Sequence, residues 1–333
     1  MRVTKGSLIN VYTSLKHFFK GYKNIQMVSF KLSENVLEIQ AFRGKSSLEF
    51  ALAVERDELD NDAMLSVQYN NLLDILIGCK EVNIRMTNSS IMFKIDDTTL
   101  TSTQKFDCEY IDTKYNIEKK EVLSAGNLLS ERVKELSYTR YMKGQISVML
   151  DDNVLKVFQV NSYSELPLGA KTGLTTLLPQ ELLEAVVDII PSVNYFIKED
   201  DYTVFIGNDV VFCVDTSGTF NEVIVTEDKY LFEINNAKGL IGIFRKAKVK
   251  ELNMHSTKDA IIIESVKHDN DVSIEKVIVQ DKTVPFSFQV SVEEMFGAMT
   301  FLDSGTVKVF TFGHMLLLKG TSKFIVIGKV DNR

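Results

Sequence analysis

Lysine and arginine residues concentrate in three helix-forming segments of a chain that is otherwise acidic. The segments 5–24, 124–143 and 233–250 carry net charges of +4, +2 and +4, whereas the whole 333-residue chain carries −7. The remainder of the chain therefore holds −17. Clustered cations of this kind can contact phosphate groups without reading bases. For any single lysine, the simpler interpretation is that it keeps a helix face solvated.

The residue patterns of common enzymes are absent from the sequence. There is no P-loop, no GxGxxG after a strand, no HExxH and no GxSxG, and the four histidines are scattered. The carboxylates at 57–62 and 199–201 lack partner ligands at metal-site spacing, so they are interpreted as solvated loops. We therefore expect a protein that is not an enzyme and that holds no cofactor and no metal.

Cysteine usage and hydropathy bear on the compartment. Cys79, Cys108 and Cys213 lie far apart and form no CxxC, which is typical of buried thiols in a reducing compartment. The sequence has no run of eighteen apolar residues and no recognisable signal peptide. A cytoplasmic location without membrane contact is the expectation.

The elements that would position the basic residues recur three times along the chain. A short helix with an apolar face starts at 68, 179 and 291, and each copy is followed by an alternating strand. A longer helix starts near Ser7, Ser124 and Asn235, the first over 7–23, and each copy leads into a β meander. This pattern predicts an α+β fold with helices gathered on one face of antiparallel sheets. The predicted domains are 1–118, 119–226 and 227–333.

Two local predictions are sharp enough to compare with the structure. The sequence Ser291-Val-Glu-Glu294 has the form of a capping box, which predicts that a helix begins there. In the second repeat, the meander is predicted as strands over 145–150, 154–160 and 165–171.

The threefold pattern resembles the DNA polymerase sliding clamp of the bacterial β-subunit family, in a divergent and phage-like form. The resemblance covers the whole chain and is clearest at 64–106 and 307–330. It implies a DNA clamp fold of three repeated domains, closed head to tail as a homodimeric ring with antiparallel sheets outside and helices lining a central hole. Clamps of the archaeal and eukaryotic type have two domains per chain and form trimers, so three repeats favour the dimer.

The resemblance implies that the basic segments face double-stranded DNA, which is bound independently of sequence. The short helices from 179 and 291 carry carboxylates and no base, which fits this role poorly. The residues expected to contact DNA are Lys16, Lys20, Lys23, Arg132, Lys134, Arg140, Tyr141, Lys143, Lys238, Arg245, Lys246, Lys248 and Lys250.

The resemblance also implies a pocket for the hydrophobic peptide motif of a replicative DNA polymerase and a clamp loader. The terminal strand would contribute to it, although the family's Thr-Asp-Gly-His motif is replaced here by residues 160–163. The peptide bound can therefore differ from the bacterial consensus. The expected pocket residues are Val160, Ser162, Tyr163, Asn221, Val223, Ile325 and Ile327.

Ring closure is expected through pairing of edge strands, with residues 100–106 at one edge. The preceding run Thr98-Thr-Leu-Thr-Ser102 is polar, which predicts a weak closed interface. Two alternatives stay open at this point. One is a monomeric clamp-like processivity factor held to DNA by charge, and the other is a β-rich structural or virion protein.

Overall fold

The fold is seen in a computed structural model. The part of the chain that it describes comprises residues 1–56, 63–69, 77, 82–87, 90–96, 98–102, 117–124, 126–142, 144–159, 162–217, 225, 229–266, 273–279 and 284–328. It divides into two compact units. Unit 1 contains residues 1–130 and 172–218, and unit 2 contains residues 131–171 and 219–333.

Unit 1 contains two helices and twelve strands among its described residues. The helices are α1 (Lys5–Phe18) and α3 (Gln180–Ile189), and a 3-10 turn covers Ile117–Lys119. Helix α2 (Gly126–Glu135) begins in unit 1 and ends in unit 2. The strands are β1 (Met27–Ser33), β2 (Val36–Arg43), β3 (Ser46–Ala53), β4 (Ala63–Gln68), β5 (Val82–Met86), β6 (Ile91–Ile95), β7 (Thr98–Ser102), β8 (Glu121–Val122), β12 (Thr175–Pro179), β13 (Tyr195–Lys198), β14 (Tyr202–Ile206) and β15 (Val210–Asp215).

Unit 2 repeats this composition. Its helices are the 3-10 helix Leu136–Tyr141, α4 (Ala237–Lys246) and α5 (Val292–Leu302). Its strands are β9 (Ser147–Asp151), β10 (Val154–Gln159), β11 (Ser162–Pro167), β16 (Tyr230–Asn235), β17 (Glu251–Ser256), β18 (Ala260–Ser265), β19 (Glu275–Val279), β20 (Ser287–Ser291), β21 (Thr306–Phe312), β22 (Met315–Lys319) and β23 (Phe324–Ile327).

Each unit is built on one large antiparallel sheet that joins strands from two of the predicted repeats. In unit 1 the order is β4-β1-β2-β3-β15-β14-β13-β8, and Val210 of β15 pairs with Phe50 of β3. In unit 2 the corresponding strands follow the order β9-β10-β11-β23-β22-β21-β16, and Val326 of β23 pairs with Tyr163 of β11. The predicted boundaries at 118/119 and 226/227 thus differ from the division into compact units, and the three-domain division stays a prediction.

Each unit also contains a smaller sheet that ends in an edge strand. In unit 1 the smaller sheet has the order β5-β6-β7. In unit 2 it has the order β19-β18-β17-β20. The outer strand β19 exposes Val277 and Val279, the latter to 81%.

The helices cover a sheet face with an apolar stripe, as their periodicity predicts. Helix α1 buries Leu8, Leu15 and Phe18 completely and packs against α3. Its N-terminus is capped by Thr4, whose side chain accepts a hydrogen bond from the Ser7 N–H at 3.2 Å. In unit 2, α5 packs against both α4 and the 3-10 helix.

Several predicted elements are confirmed, and two need correction. Ser291 caps α5 by accepting a hydrogen bond from the Glu294 N–H at 3.5 Å. Helix α1 ends at Phe18 rather than at 23, and the chain turns at Gly21, whose φ of +76° suits glycine. The predicted strand 165–171 is wrong in its position, because β11 covers Ser162–Pro167 and Gly169 adopts φ +83°. The helix predicted from 68 falls almost wholly outside the described residues.

A close backbone approach fixes the start of α2 in unit 1. A Cβ placed on Gly126 would meet the carbonyl oxygen of Val193 at 1.9 Å, which no side chain can tolerate. Gly6 in α1 is the opposite case, since nothing lies within 4 Å of the same position.

Gly126→Ala should therefore destabilise the protein by about 1–3 kcal/mol, because the backbone must shift to admit the methyl group. Gly6→Ala is the matched control and should stabilise it by about 0.5–1 kcal/mol, since alanine favours the helix. Urea unfolding followed by circular dichroism measures both changes. Equal midpoints for the two variants would contradict this account of Gly126.

An ion pair ties the end of α2 to the strand β23 in unit 2. Lys323 Nζ donates to Glu135 Oε2 at 2.7 Å, and Arg132 also bonds to this carboxylate. Partial burial raises the pKa of Glu135, but the hydrogen bonds and charges of Lys323 and Arg132 outweigh that effect. The pKa of Glu135 therefore lies below its ordinary value of 4.5 in the folded protein.

A folded-state pKa below the unfolded one stabilises the protein above the unfolded pKa, and this contribution is lost as the pH falls through the folded pKa. Lys323→Met should lower the melting temperature at pH 7, and the difference from wild type should shrink as the pH drops below 4.5. Thermal melts from pH 7 downwards measure this. Lys171→Met, which removes an exposed partner of Asp152 at 3.7 Å, should change little at any pH. A Lys323→Met deficit that is constant with pH would be the contrary result.

Candidate nucleic-acid interface and partner surface

In unit 1, the predicted DNA-contacting lysines lie on and just after α1. Lys16 is in the last turn of the helix, while Lys20 and Lys23 follow its end. All three side chains are exposed because the opposite face of α1 supplies the buried core residues. The helix and the turn after it therefore present these charges to solvent.

In unit 2, a second group of exposed cations lies on and after α4. Lys238, Arg245 and Lys246 are on the helix, whereas Lys248 and Lys250 follow it. The remaining predicted cations differ in exposure and in ion pairing. Arg132 is half-buried and paired with Glu135, while Lys134 and Arg140 are exposed.

A cluster of cations and aromatic rings joins three helices of unit 2. The guanidinium of Arg245 lies 5.1 Å from the Tyr141 ring centroid and 4.6 Å from that of Phe296. The guanidinium of Arg140 lies 4.8 Å from the Tyr141 ring. Tyr141 and Phe296 meet edge to face at 5.4 Å. Both arginines therefore contact the same Tyr141 ring, supported by cation–π attraction.

Sequence reasoning found Arg140, Tyr141 and Arg245 but missed Phe296, which lies on α5. The available signal was the apolar character of that helix, from which Phe296 was not singled out. The structure shows Phe296 half-buried, with its ring nearly perpendicular to that of Tyr141. Gly297 makes this approach possible, because a Cβ there would meet Tyr141 Cβ at 2.9 Å.

Two carboxylates of the short helices are paired with arginines, and a third lies beside a histidine. Glu293 at the start of α5 accepts from Arg245 Nε at 2.9 and 3.0 Å. In unit 1, Asp188 lies 3.1 Å from His17, and Glu181 bonds to Arg43. Each of the acidic helices that fit a DNA-facing role poorly therefore has one carboxylate paired with an arginine. Arg43 was not predicted, since it lies at a strand end outside the basic segments.

The predicted pocket residues fall on two faces of the unit 2 sheet. Tyr163 and Val326 are paired neighbours that form a buried cluster with Leu317. Alternation along β23 puts Ile325 and Ile327 on the opposite face, where both are at most 2% exposed. The structure thus separates Tyr163 from the two isoleucines. Ser162 pairs with Ile327 and is half-buried.

Around the Tyr163 cluster lies an aromatic-rich surface. Its half-buried members are Phe158, Val225, Phe310, Phe312, Met315 and Phe324. The sequence analysis missed this surface because it selected Ile325 and Ile327 of β23 as pocket residues rather than their neighbours. The predicted residues Lys143, Val160, Asn221 and Val223 lie outside the described residues, so their roles stay predictions.

Within the described ranges, no group of three or more His, Cys, Asp and Glu side chains is arranged to hold a metal ion. In the same part of the chain, no helix has both the length and the apolar character needed to cross a bilayer.

Comparison with known proteins gives a consistent answer at the level of structure. No protein-family model matches the sequence, and no curated protein matches it. Among solved structures, the DNA polymerase III β subunit of Pseudomonas aeruginosa aligns over 99% of both chains with a TM-score of 0.73 and 10% identity. The β chain of Streptococcus pneumoniae aligns over 99% of both chains with a TM-score of 0.72 and 11% identity.

The Helicobacter pylori β clamp bound to a DNA ligase peptide is also similar. It aligns over 99% of this chain and 100% of its own, with a TM-score of 0.68 and 13% identity. The α+β fold expected from the repeats is therefore confirmed. Over nearly its whole length, this chain has the fold of the bacterial DNA polymerase β clamps.

Proposed function

We propose that this protein is a DNA sliding clamp, a processivity factor that encircles double-stranded DNA and tethers replication proteins. The observation that carries the proposal is the fold similarity to β clamps along 99% of the chain. The exposed cations after and along α1 and α4 support it independently, because they form equivalent groups in an acidic protein.

The mechanism is topological rather than catalytic. Lysine and arginine side chains attract the phosphate backbone without reading bases, so the protein can slide on any sequence. Pairing of Glu293 with Arg245 moderates this attraction, which suits movement along DNA. A polymerase bound to the clamp meets the primer end as an intramolecular partner, which raises its effective concentration. No cofactor is needed.

The proposed partners are a second copy of this chain, a replicative DNA polymerase and a clamp loader, all acting in the cytoplasm. The aromatic surface around Tyr163 and Val326 supports recognition of a hydrophobic peptide, since such anchors bury well against aromatic side chains. The peptide complex of the Helicobacter pylori clamp is consistent with this kind of partner.

Ring closure is proposed between strand β7 of one copy and strand β19 of the other. Both are outer strands of their small sheets. The exposed Val277 and Val279 of β19 favour burial against another strand. The polar sequence of β7 favours the alternative of a clamp-like monomer held by charge.

The salt dependence of DNA binding tests the basic residues. Changing Lys16, Lys20 and Lys23 together to Gln should weaken binding to a 30-base-pair duplex and reduce the slope of log K against log salt by about 2–3. Fluorescence anisotropy at several salt concentrations measures the slope. The matched control changes Lys45, Lys171 and Lys308 to Gln, which removes equal charge at exposed positions outside the basic segments and outside β7 and β19. An equal loss of slope in the control would refute the assignment.

DNA topology tests the ring itself. Protein loaded on nicked circular DNA should stay bound in 1 M salt and leave when the circle is cut, because only a closed ring is held without charge attraction. Gel filtration of protein–DNA complexes before and after linearisation measures retention. Release from the circle by salt alone would favour the charge-held monomer, and no binding to either form would favour a structural protein.

Changes at the proposed interface should reduce both dimerisation and this retention. Val277→Lys with Val279→Lys should weaken the dimer by about tenfold or more, because charges on an edge strand oppose pairing. Val36→Lys, at another exposed valine, is the control and should leave the dimer intact. Sedimentation equilibrium measures both. A wild-type protein that is monomeric at micromolar concentration would contradict the closed dimer, though not the fold.

A further inference from the structure

A cleft of about 600 Å³ lies within unit 1, and none of the predicted site residues lines it. It runs between α1, the end of α3 and the hairpin that joins β14 to β15. Ligand pockets of proteins commonly have volumes of roughly 300–1,000 Å³, so its size is appropriate for a bound group.

The chain contains a second copy of this architecture in unit 2, which serves as an internal comparison. The β14–β15 hairpin places the Gly207 N–H 2.9 Å from the Val210 carbonyl, and the β22–β23 hairpin places the Gly320 N–H 2.9 Å from the Lys323 carbonyl. Val210 and Lys323 are therefore equivalent. Both follow the same turn and begin or immediately precede the last strand of their sheet halves.

The helices are matched in the same way. The buried residues Tyr12 and Leu15 of α1 correspond to Val133 and Leu136 at a constant separation of 121 residues. This spacing makes Ser14 equivalent to Glu135. The short helices α3 and α5 begin 112 residues apart, which makes Ile189 equivalent to Phe301.

In unit 2, the three equivalent positions hold larger side chains, and Lys323 contacts the other two. Lys323 Nζ bonds to Glu135 at 2.7 Å and lies 5.2 Å from the Phe301 ring centroid. In unit 1, the corresponding positions hold Ser14, Val210 and Ile189, and all three line the cleft. Three shorter side chains thus line the cleft of unit 1 where unit 2 has an ion pair packed on an aromatic ring.

The lining combines an apolar floor with a polar wall. Val11, Phe50, Leu52 and Ile190 are buried residues at the floor. One face of α1 contributes Ser7, Asn10 and Ser14, which repeat at helical spacing. A ligand would therefore insert an apolar body and meet hydrogen-bonding groups along its length.

The charge of the lining points to a cationic ligand. Asp188 and Asp209 are the charged residues among those that line the cleft, and no lysine or arginine accompanies them. Asp188 faces His17 at 3.1 Å. Asp209 is exposed at the tip of the β14–β15 hairpin and has no ion-pair partner within the described ranges. A guanidinium or ammonium group entering the cleft would find complementary charge at its rim.

We propose that this cleft of unit 1 binds a short peptide segment of a partner protein, in which a bulky apolar side chain stands next to an arginine or lysine. The apolar side chain occupies the floor at Val11 and Ile190, and the cation meets Asp209. This site differs in location and charge from the aromatic surface around Tyr163. The proposal does not depend on the proposed clamp function, because it rests on the cleft, on the residues that line it and on the comparison with unit 2.

The test uses the full chain with isotope-labelled isoleucine methyl groups, and the probe is N-acetyl-leucyl-arginine amide. The methyl signals of Ile189 and Ile190 should shift saturably with a dissociation constant in the low millimolar range, as expected of so small a ligand. Those of Ile325 and Ile327, in unit 2, should not move. N-acetyl-leucyl-glutamate amide should bind at least about tenfold more weakly.

A double variant places the Glu135–Lys323 ion pair of unit 2 at the equivalent positions of unit 1. Ser14→Glu with Val210→Lys should close the cleft and weaken binding of the arginine probe by about tenfold or more. The matched control, Ser33→Glu with Val36→Lys, makes the same two changes at a facing pair next to the β1–β2 turn. It should bind as wild type does.

If the closing variant fails to fold, as judged from its methyl spectrum, Asp209→Asn decides the matter instead. This change at an exposed residue should weaken binding of the arginine probe about threefold, and it should not weaken binding of the glutamate probe. Unmoved Ile189 and Ile190 signals, equal binding of the two probes, or wild-type binding by a folded closing variant would each overturn the proposal. So would an Asp209→Asn variant that binds both probes unchanged.

Discussion

Main-chain pairing between strands from different repeats is the constraint on which the rest of the structure depends. Each half-sheet of three or four strands would by itself expose an edge with unpaired N–H and C=O groups. Strand β3 meets β15 in unit 1, and β11 meets β23 in unit 2, so these edges are satisfied within the chain. The helices then gather on a face whose strands are already in register. This is why the basic segments of distant parts of the sequence reach comparable positions.

Electrostatics in this protein is arranged by local pairing as well as by net charge. The basic side chains that follow α1 stay exposed, whereas Glu181 and Glu293 of the short helices are held by arginines. Arg245 illustrates the balance, because it contacts Glu293 and two aromatic rings while it remains exposed. A count of charges along the sequence therefore underestimates how neutral the acidic helices are.

Much of the fold could be predicted from the sequence because its signals are local. Alternating strands, the capping box at Ser291 and the apolar helix stripes each depend on residues a few positions apart. The errors at β11 and at the end of α1 came from turns at Gly169 and Gly21, where a positive φ outweighs the hydrophobic pattern. The candidate site was less predictable. The face of β23 that joins Tyr163 depends on register with β11, and the cleft of unit 1 depends on side chains from three separate segments.

The ion pair between Glu135 and Lys323 shows that two copies of one backbone arrangement can carry different side-chain contacts. The equivalent positions hold Lys323 and Glu135 in unit 2 but the shorter Val210 and Ser14 in unit 1. Duplication inside a single polypeptide allows this, because one copy can preserve the packing that holds the architecture while the other drifts. In a repeated chain of this kind, each copy can be compared with the other. The residues in which the copies differ show which contacts the shared backbone geometry leaves free to vary.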